Sequence, residues 1–333
     1  MYSIFEKIKR FTAVTAAVSL CFGLLLVFSG CEKRKTGALS LDGVEISDDV
    51  LNYFIDAAFC ELSDGATQDS VTARATELCA SYFKKNTLAH SENVSLTQAE
   101  KAKVSEKVNA YWGFYKEYYT AIGVSKETLT KVFTADAYRD ALLIHYYGEG
   151  GENEISVARL YAAFRTNYVV FRSVSGYFTY VDQNGLTQYF DEPKKEALIL
   201  KFQNMASLIN AGEKTMEEAA EFLAETGYTS SVITAVLKRG ESGYPEGFFE
   251  KVQSLEARKA SVIGTSEYIF LISRGDAGAD SEYYLDKRDE ILKEIVGDEI
   301  DIRIENAFSP EPTTDENRMQ TAFLTVKSER SGI

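Results

Sequence analysis

The side chains best suited to binding a partner form an aromatic run in a segment that has helical spacing. Its members are Tyr111, Trp112, Phe114, Tyr115, Tyr118 and Tyr119. On a helix, Tyr111, Tyr115 and Tyr118 share one stripe. Amphipathic rings hold an unfolded chain segment with little loss of side-chain entropy, as binding surfaces often do. The stripe is therefore a candidate surface for polypeptide segments, and packing against a neighbouring helix is its alternative.

The N-terminal segment has the pattern of an export signal. Basic residues come first, at Lys7, Lys9 and Arg10, and residues 11–30 contain no charged side chain. An uncleaved membrane helix is the alternative, because about 20 apolar residues span a bilayer. The apolar run stops directly at Ser-Gly-Cys, so we expect residues 1–30 to be a lipoprotein signal peptide.

Cys31 is the second group with a predictable chemistry. Residues 26–31 read LVFSGC and resemble a lipobox, in which small residues precede a cysteine that is acylated and becomes the new N-terminus. Phe28 stands where leucine is usual. We expect Cys31 to carry the lipid and residues 31–37 to form a lipidated tether. The protein is then held on the extracytoplasmic side of the cell membrane.

Several other kinds of site are not expected. The net charge of -14 repels phosphate backbones, so nucleic acid is not a predicted partner. The two histidines, His90 and His145, have no cysteine–histidine metal spacing around them, and no glycine-rich phosphate loop is readable. We expect neither a metal nor a cofactor. Cys60 and Cys79 lie in predicted helices, either bridged or as two buried free thiols.

The aromatic stripe belongs to a region that reads as almost entirely helical. A short strand is predicted at 38–41, followed by a turn at Asp42-Gly43. Apolar positions at helical spacing then predict helices that begin near residues 48, 67, 97, 125 and 155. We expect a helical domain over residues 38–166.

The pattern changes at Tyr168, where alternation favours strands. The order from there is strand, helix, helix, strand, short helix, strand, strand, which indicates a compact α+β domain. A last helix is predicted over 281–296, and the polar segment beyond Pro310 is predicted to be mobile. The predicted domains after the tether are 38–166, 167–276 (α+β), 277–309 (a helix packing on the helical domain) and 310–333 (a flexible tail).

Two stretches of the α+β region resemble parvulin-type prolyl isomerase segments. Residues 209–220 read INAGEKTMEEAA, and residues 244–261 read YPEGFFEKVQSLEARKAS. The lipobox is followed by an opening strand, the sequence DGVEIS at 42–47, this α+β region and a closing helix. That order resembles the PrsA/SurA-type foldases, which are exported chaperones. The resemblance implies a helical SurA-N-like chaperone domain and a small parvulin-like α+β domain with a four-stranded sheet.

The residues at the catalytic positions of that family differ in this chain. Both family histidines are absent, with Ser173 at the first position and either Tyr268 or Ile269 at the second. Arg258 also replaces a usual glycine. If Ser173 and Tyr268 hydrogen-bond to each other, they are the candidate catalytic pair for rotating an X–Pro amide over a barrier of about 18–20 kcal/mol. The parvulin domain is accordingly predicted to be degenerate.

An aromatic wall for the proline ring is the remaining site residue that the resemblance implies. Phe249 is the candidate, and Phe248 takes its place if the alignment slips by one residue. Packing in the core of the domain is the alternative for either ring.

The resemblance implies a membrane-anchored extracytoplasmic folding factor that has lost its isomerase activity. Its partners are unfolded or newly exported polypeptides, and it needs neither ATP nor a cofactor. Two alternatives stay open. One is an active isomerase with a histidine-free site, and the other is a non-catalytic binding or scaffold lipoprotein.

Overall fold

The structure is a computed structural model that describes residues 37–62, 66–227 and 229–330. The helices are α1 (Asp48–Glu61), α2 (Gln68–Ser91), α3 (Gln98–Ala121), α4 (Lys126–Tyr147), α5 (Val157–Asn167), α6 (Glu192–Ala211), α7 (Met216–Ala224), α8 (Phe248–Ser254), α9 (Glu282–Leu285), α10 (Arg288–Ala307) and α11 (Glu316–Arg330). The strands are β1 (Leu39–Leu41), β2 (Val44–Ile46), β3 (Tyr168–Tyr177), β4 (Thr179–Val181), β5 (Thr187–Tyr189), β6 (Ile233–Lys238), β7 (Ala260–Gly264), β8 (Tyr268–Arg274) and β9 (Pro312–Thr314). The chain is an α+β protein, as the sequence predicted.

The predicted signal peptide and Cys31 lie outside the described residues. Within those residues, no helix combines the length and the apolar character that crossing a membrane requires. The chain divides into two compact units. The described residues of the first are 37–62, 66–83, 104–133 and 309–330, and those of the second are 84–103, 134–227 and 229–308.

The first unit contains a three-stranded antiparallel sheet in the order β2-β1-β9. The turn between β1 and β2 is formed by Asp42 and Gly43, whose φ angles of 50° and 75° lie in the left-handed region. Aspartate and glycine tolerate that conformation, which explains why this dipeptide is a reliable turn signal. Helix α1 follows and buries Leu51, Phe54 and Ile55.

Strand β9 and helix α11 lie beyond Pro310, so the prediction of a flexible tail over 310–333 is wrong for the residues up to 330 that the structure describes. Strand β9 pairs with β1, and α11 buries Met319, Phe323 and Val326. The ring of Phe323 stacks on Phe59 of α1, with 5.4 Å between the ring centroids. The few apolar residues of this polar segment fall at helical spacing, and the average composition of the segment conceals that stripe.

The second unit contains the predicted four-stranded sheet. Its order is β6-β3-β8-β7, and all neighbouring strands are antiparallel. Helices α6 and α7 cover one face, where Phe202 and Leu223 pack with Val174 and Leu271. Helix α8 covers the other face, where its Phe248 packs with residues of β3 and β8.

Two helices of this unit, α6 and α7, begin at residues that cap them. Asp191 caps α6 by accepting a hydrogen bond from the backbone of Lys194, and Gly212 ends the helix with a φ of 75°. Thr215 and Glu218 form a reciprocal capping box at the start of α7.

The closing helix differs from its predicted range of 281–296. The chain forms the single turn α9, then the longer helix α10, which extends to Ala307. Ile291, Val296 and Ile300 of α10 are buried in one cluster with Leu142 and Leu143 of α4. Arg139 adds a two-point ion pair to Asp301, at 2.6 Å from Nε and 2.7 Å from Nη2.

Candidate functional site

Four tyrosines of α3 line an open groove of about 600 Å³ in the first unit. Neighbouring ring centroids lie 6.1 Å apart for Tyr111 and Tyr115, 6.0 Å for Tyr115 and Tyr119, and 5.8 Å for Tyr118 and Tyr119. The other lining residues are Asp56, Cys60 and Arg330. We refer to this site as the tyrosine groove.

The rings of the tyrosine groove differ in exposure. Tyr115 is 52% exposed, and Phe114 beside it is 84% exposed. Tyr119 is only 7% exposed, and Tyr111 packs edge-on against Phe133 of α4 at 5.1 Å. The aromatic run therefore both packs against the helices of its own unit and leaves rings open to solvent. The role of Tyr111, Tyr115 and Tyr118 in binding stays a prediction.

A charged pair lies at the floor of the tyrosine groove. The Asp56 residue is only 8% exposed, and its Oδ1 accepts a hydrogen bond from the hydroxyl of Tyr118 at 2.5 Å. Nη1 of Arg330, the last residue of α11, donates to the same oxygen at 2.5 Å and to Sγ of Cys60 at 3.4 Å. Sequence reasoning missed all three partners, because α1, α3 and α11 are far apart in the chain.

The protonation states of the groove follow from these contacts. Burial raises the pKa of Tyr119 to about 12, and burial together with the bond to Asp56 raises the pKa of Tyr118. Burial opposes the charge of Arg330, but hydrogen bonds to Cys60 and Asp56 outweigh it and raise the pKa of the guanidinium. At neutral pH the groove therefore presents uncharged rings around one ion pair. Uncharged rings around an ion pair form a surface that is suited to binding a partner.

The predicted catalytic pair is not brought together. Ser173 pairs with Ile272 of β8 and with Ile233 of β6, whereas Tyr268 pairs with Tyr177. Both side chains are on one face of the sheet, but Ser173 and Tyr177, the partner of Tyr268, are four positions apart on β3, or about 13 Å along the strand. Ser173 is fully buried, and its Oγ has no hydrogen-bond partner. A hydrogen bond between Ser173 and Tyr268 is therefore ruled out.

The two candidate residues of the proline cup are both buried. The ring of Phe248 packs against Phe171 and Tyr244, with centroid distances of 5.1 Å and 4.6 Å. Phe249 lies under the guanidinium of Arg239, whose Cζ is 4.4 Å from the ring centroid. Both rings therefore make the contacts of core residues. Packing in the core was the alternative interpretation for these two residues.

The two described cysteines are both free thiols. Cys60 is exposed in the tyrosine groove, whereas Cys79 is buried and its burial raises the pKa of its thiol. The sequence predicted either a Cys60–Cys79 disulfide or two buried free thiols. Both alternatives are wrong for Cys60, because its thiol is free and exposed. In the part of the chain that the structure describes, no three histidine, cysteine or acidic side chains group as a metal site would require.

Comparison with known proteins yields structural likeness without sequence matches. Neither a protein-family model nor a curated protein sequence matches the chain. One similar structure is the foldase protein PrsA from Streptococcus pneumoniae, with 14% identity, 88% of this chain and 93% of that chain covered, and a TM-score of 0.34. Another is the foldase protein PrsA from Lactococcus lactis, with 12% identity, the same coverage and a TM-score of 0.33. At these values neither structure assigns a function to this chain.

Proposed function

We propose that this chain is a membrane-anchored, extracytoplasmic folding factor of the PrsA/SurA type, which shields apolar segments of unfolded polypeptides. The observation that carries the proposal is the tyrosine groove, in which Tyr115 is exposed to solvent, together with the neighbouring exposed ring of Phe114. Exposed rings in and beside an open groove are a typical surface for apolar chain segments. The lipid on Cys31 would hold the protein at the membrane from which its clients emerge.

The chemistry of such a surface favours transient binding. An aromatic contact contributes about 0.5–1.5 kcal/mol beyond its buried area, and only a few rings are exposed. A client segment would therefore bind weakly and exchange quickly, which leaves it free to fold between encounters. No ATP is needed for this cycle, because binding and release are both reversible steps.

Residues 167–276 of the second unit enter the proposal as a parvulin-like domain without isomerase activity. Its support is the sequence resemblance, and two structural details agree with the proposed alignment. Arg258, at the position of a usual glycine, has a φ of 66°, a conformation that glycine adopts without strain. The Oγ of Ser173, at a family histidine position, is buried with no partner.

The test is suppression of aggregation by the full chain in phospholipid nanodiscs. Chemically unfolded citrate synthase is diluted into buffer with an equimolar amount of the protein, and light scattering is followed, with empty nanodiscs as the blank. We expect lower scattering in the presence of the protein. Unchanged scattering would remove the main support for a folding factor.

A pair of matched variants connects that activity to the tyrosine groove. Tyr115→Ser removes an exposed ring from the groove, and Tyr189→Ser removes a ring that is 68% exposed on β5 of the other unit. We expect the Tyr115 variant to require about two- to tenfold more protein for equal suppression, as the loss of one aromatic contact implies. The Tyr189 variant is expected to match the unmodified chain. Equal loss in both variants would mean that the groove is not the client surface.

A further inference from the structure

The tyrosine groove already holds a cation. The guanidinium of Arg330 lies against Asp56, whose side chain is only 12% exposed. The hydroxyl of Tyr118, on α3, donates a hydrogen bond to the same carboxylate oxygen. The carboxylate is therefore fixed and largely desolvated before any ligand arrives. A buried carboxylate of this kind requires a positive partner, because an unpaired charge is costly away from water.

The walls of the groove are equally suited to a cation. The faces of tyrosine rings carry negative potential and attract guanidinium and ammonium groups. Four tyrosines, Tyr111, Tyr115, Tyr118 and Tyr119, line the groove together with the pair. The guanidinium of Arg330 already lies over an aromatic ring, that of Phe59, with 5.5 Å between its Cζ and the ring centroid. The whole chain carries a net charge of -14, so its long-range field also attracts positive segments.

We propose that the tyrosine groove recognises an arginine or lysine side chain within an apolar polypeptide segment, and that Arg330 is the internal occupant which this side chain displaces. The polypeptide source of the cation rests on the proposed function. The exchange replaces one cation on Asp56 with another, so no charge is left unpaired. The apolar neighbours of the incoming cation then contact Phe114 and Tyr115, which Arg330 alone does not cover.

The position of Arg330 in the chain makes the displacement feasible. It is the last residue of α11, whereas the apolar anchors of that helix, Phe323 and Val326, are buried one or more turns earlier. Terminal helical turns open at low free energy without unfolding the rest of a helix. Arg330 can therefore leave Asp56 while α11 stays packed.

The test compares three fluorescein-labelled nonapeptides that differ at one central residue. Each has leucine and phenylalanine on both sides of that residue, which is arginine, its uncharged isostere citrulline, or glutamate. Binding to the full chain in nanodiscs is followed by fluorescence anisotropy, with empty nanodiscs as the blank. We expect the arginine peptide to bind about tenfold more tightly than the citrulline peptide, a difference typical of a partly desolvated cation contact.

Variants test whether the preference for the arginine peptide arises in the tyrosine groove. Arg330→Gln removes the internal competitor, and we expect it to tighten binding of the arginine peptide about fivefold. Arg318→Gln is the matched control, since Arg318 pairs with Asp48 at 2.8 Å between the same two helices but does not line the groove. It is expected to leave binding unchanged. Asp56→Asn is expected to abolish the preference for arginine over citrulline.

If Asp56→Asn does not fold, Tyr115→Leu still tests whether the groove binds a cation. That substitution keeps an exposed apolar side chain and removes a ring face, and we expect it to reduce the arginine preference by about threefold. Equal binding of the arginine and citrulline peptides, or tighter binding of the glutamate peptide, would overturn the cation site. If aggregation is still suppressed in that case, the folding function stands. If peptide preference is present but aggregation is unaffected, the folding function fails and the cation site stands.

Discussion

The hydroxyl of Ser173 and the side chain of Ile272 lie opposite each other in the β3–β8 pair, and the Ser173 Oγ has no hydrogen-bond partner. On the other side, Ser173 pairs with Ile233 of β6. The hydroxyl therefore lies between two aliphatic residues on the face that α8 covers. The position at which the family resemblance expects a histidine therefore holds a buried hydroxyl that has no hydrogen-bond partner.

Removing this hydroxyl is expected to stabilise the protein. A buried hydroxyl without a partner costs about 1–3 kcal/mol, and Ser173→Ala eliminates that cost while it removes a single small atom. We expect the free energy of unfolding in urea to rise by about 1 kcal/mol. Ser230→Ala is the contrasting variant, because the Ser230 Oγ accepts a hydrogen bond from the backbone of Ser175 at 2.9 Å. Its unfolding free energy should fall, and the same sign for both variants would contradict the assignment.

The same geometry predicts that the protein does not accelerate prolyl isomerisation. A protease-coupled assay with a proline-containing peptide should give the uncatalysed rate at any protein concentration. Tyr268→Phe should change nothing, because the register partner of Tyr268 lies four positions from Ser173 on β3. Acceleration that disappears in Tyr268→Phe would instead support the histidine-free isomerase.

Gly176 of β3 is a position where the absence of a side chain is required. A Cβ atom there would lie 2.6 Å from Cζ of Phe202 and 2.9 Å from Cγ2 of Ile269. Both are buried core groups, so Gly176→Ala forces them apart, and we expect a loss of about 1–3 kcal/mol in the free energy of unfolding. Gly264→Ala on β7 is the control, since its nearest neighbour would be 3.9 Å away. Equal effects of the two substitutions in urea unfolding would contradict this packing.

Local signals in the sequence were sufficient for most of the fold. The turn at Asp42 and Gly43 and the ends of α6 depend on residues within a few positions of one another, so their chemistry is readable directly. Alternation and the order of the elements predicted the strands of a compact α+β domain, and the family resemblance implied that four of them form one sheet. The tail was misread because its apolar residues are few, although Phe323 and its neighbours fall at helical spacing.

The sequence predicted only part of the candidate site. The aromatic run is continuous in sequence, so its tyrosines were found, but Asp56 and Arg330 are 274 residues apart. No spacing rule connects two residues at that separation. The pairing of Ser173 with Ile272 was missed for a related reason. Register depends on how two distant strands meet. The family resemblance put Ser173 at one histidine position and either Tyr268 or Ile269 at the other, which does not fix the register of the two strands.

Asp49 connects the stability of the first unit to pH. Its Oδ2 accepts a hydrogen bond from the fully buried Thr128 at 2.5 Å. Burial opposes ionisation, but hydrogen bonds from Ser47 and Thr128, with the charge of Lys131, outweigh it and hold the pKa of Asp49 below its ordinary 3.8. A lowered carboxyl pKa stabilises the folded state above the ordinary value, and that stability is lost as the pH falls through the folded-state pKa.

Replacing this carboxylate tests the linkage. Asp49→Asn keeps the shape but removes the charge, so we expect it to lower the free energy of unfolding by about 1 kcal/mol at pH 7, a value discounted for the partial exposure of the group. The deficit should shrink as the pH falls below 3.8, because the unmodified carboxyl then takes up its proton in both states. Urea unfolding of the two proteins at several pH values between 7 and 3 measures this difference. A deficit that stays constant across that range would show that the charge of Asp49 contributes nothing to the stability of the fold.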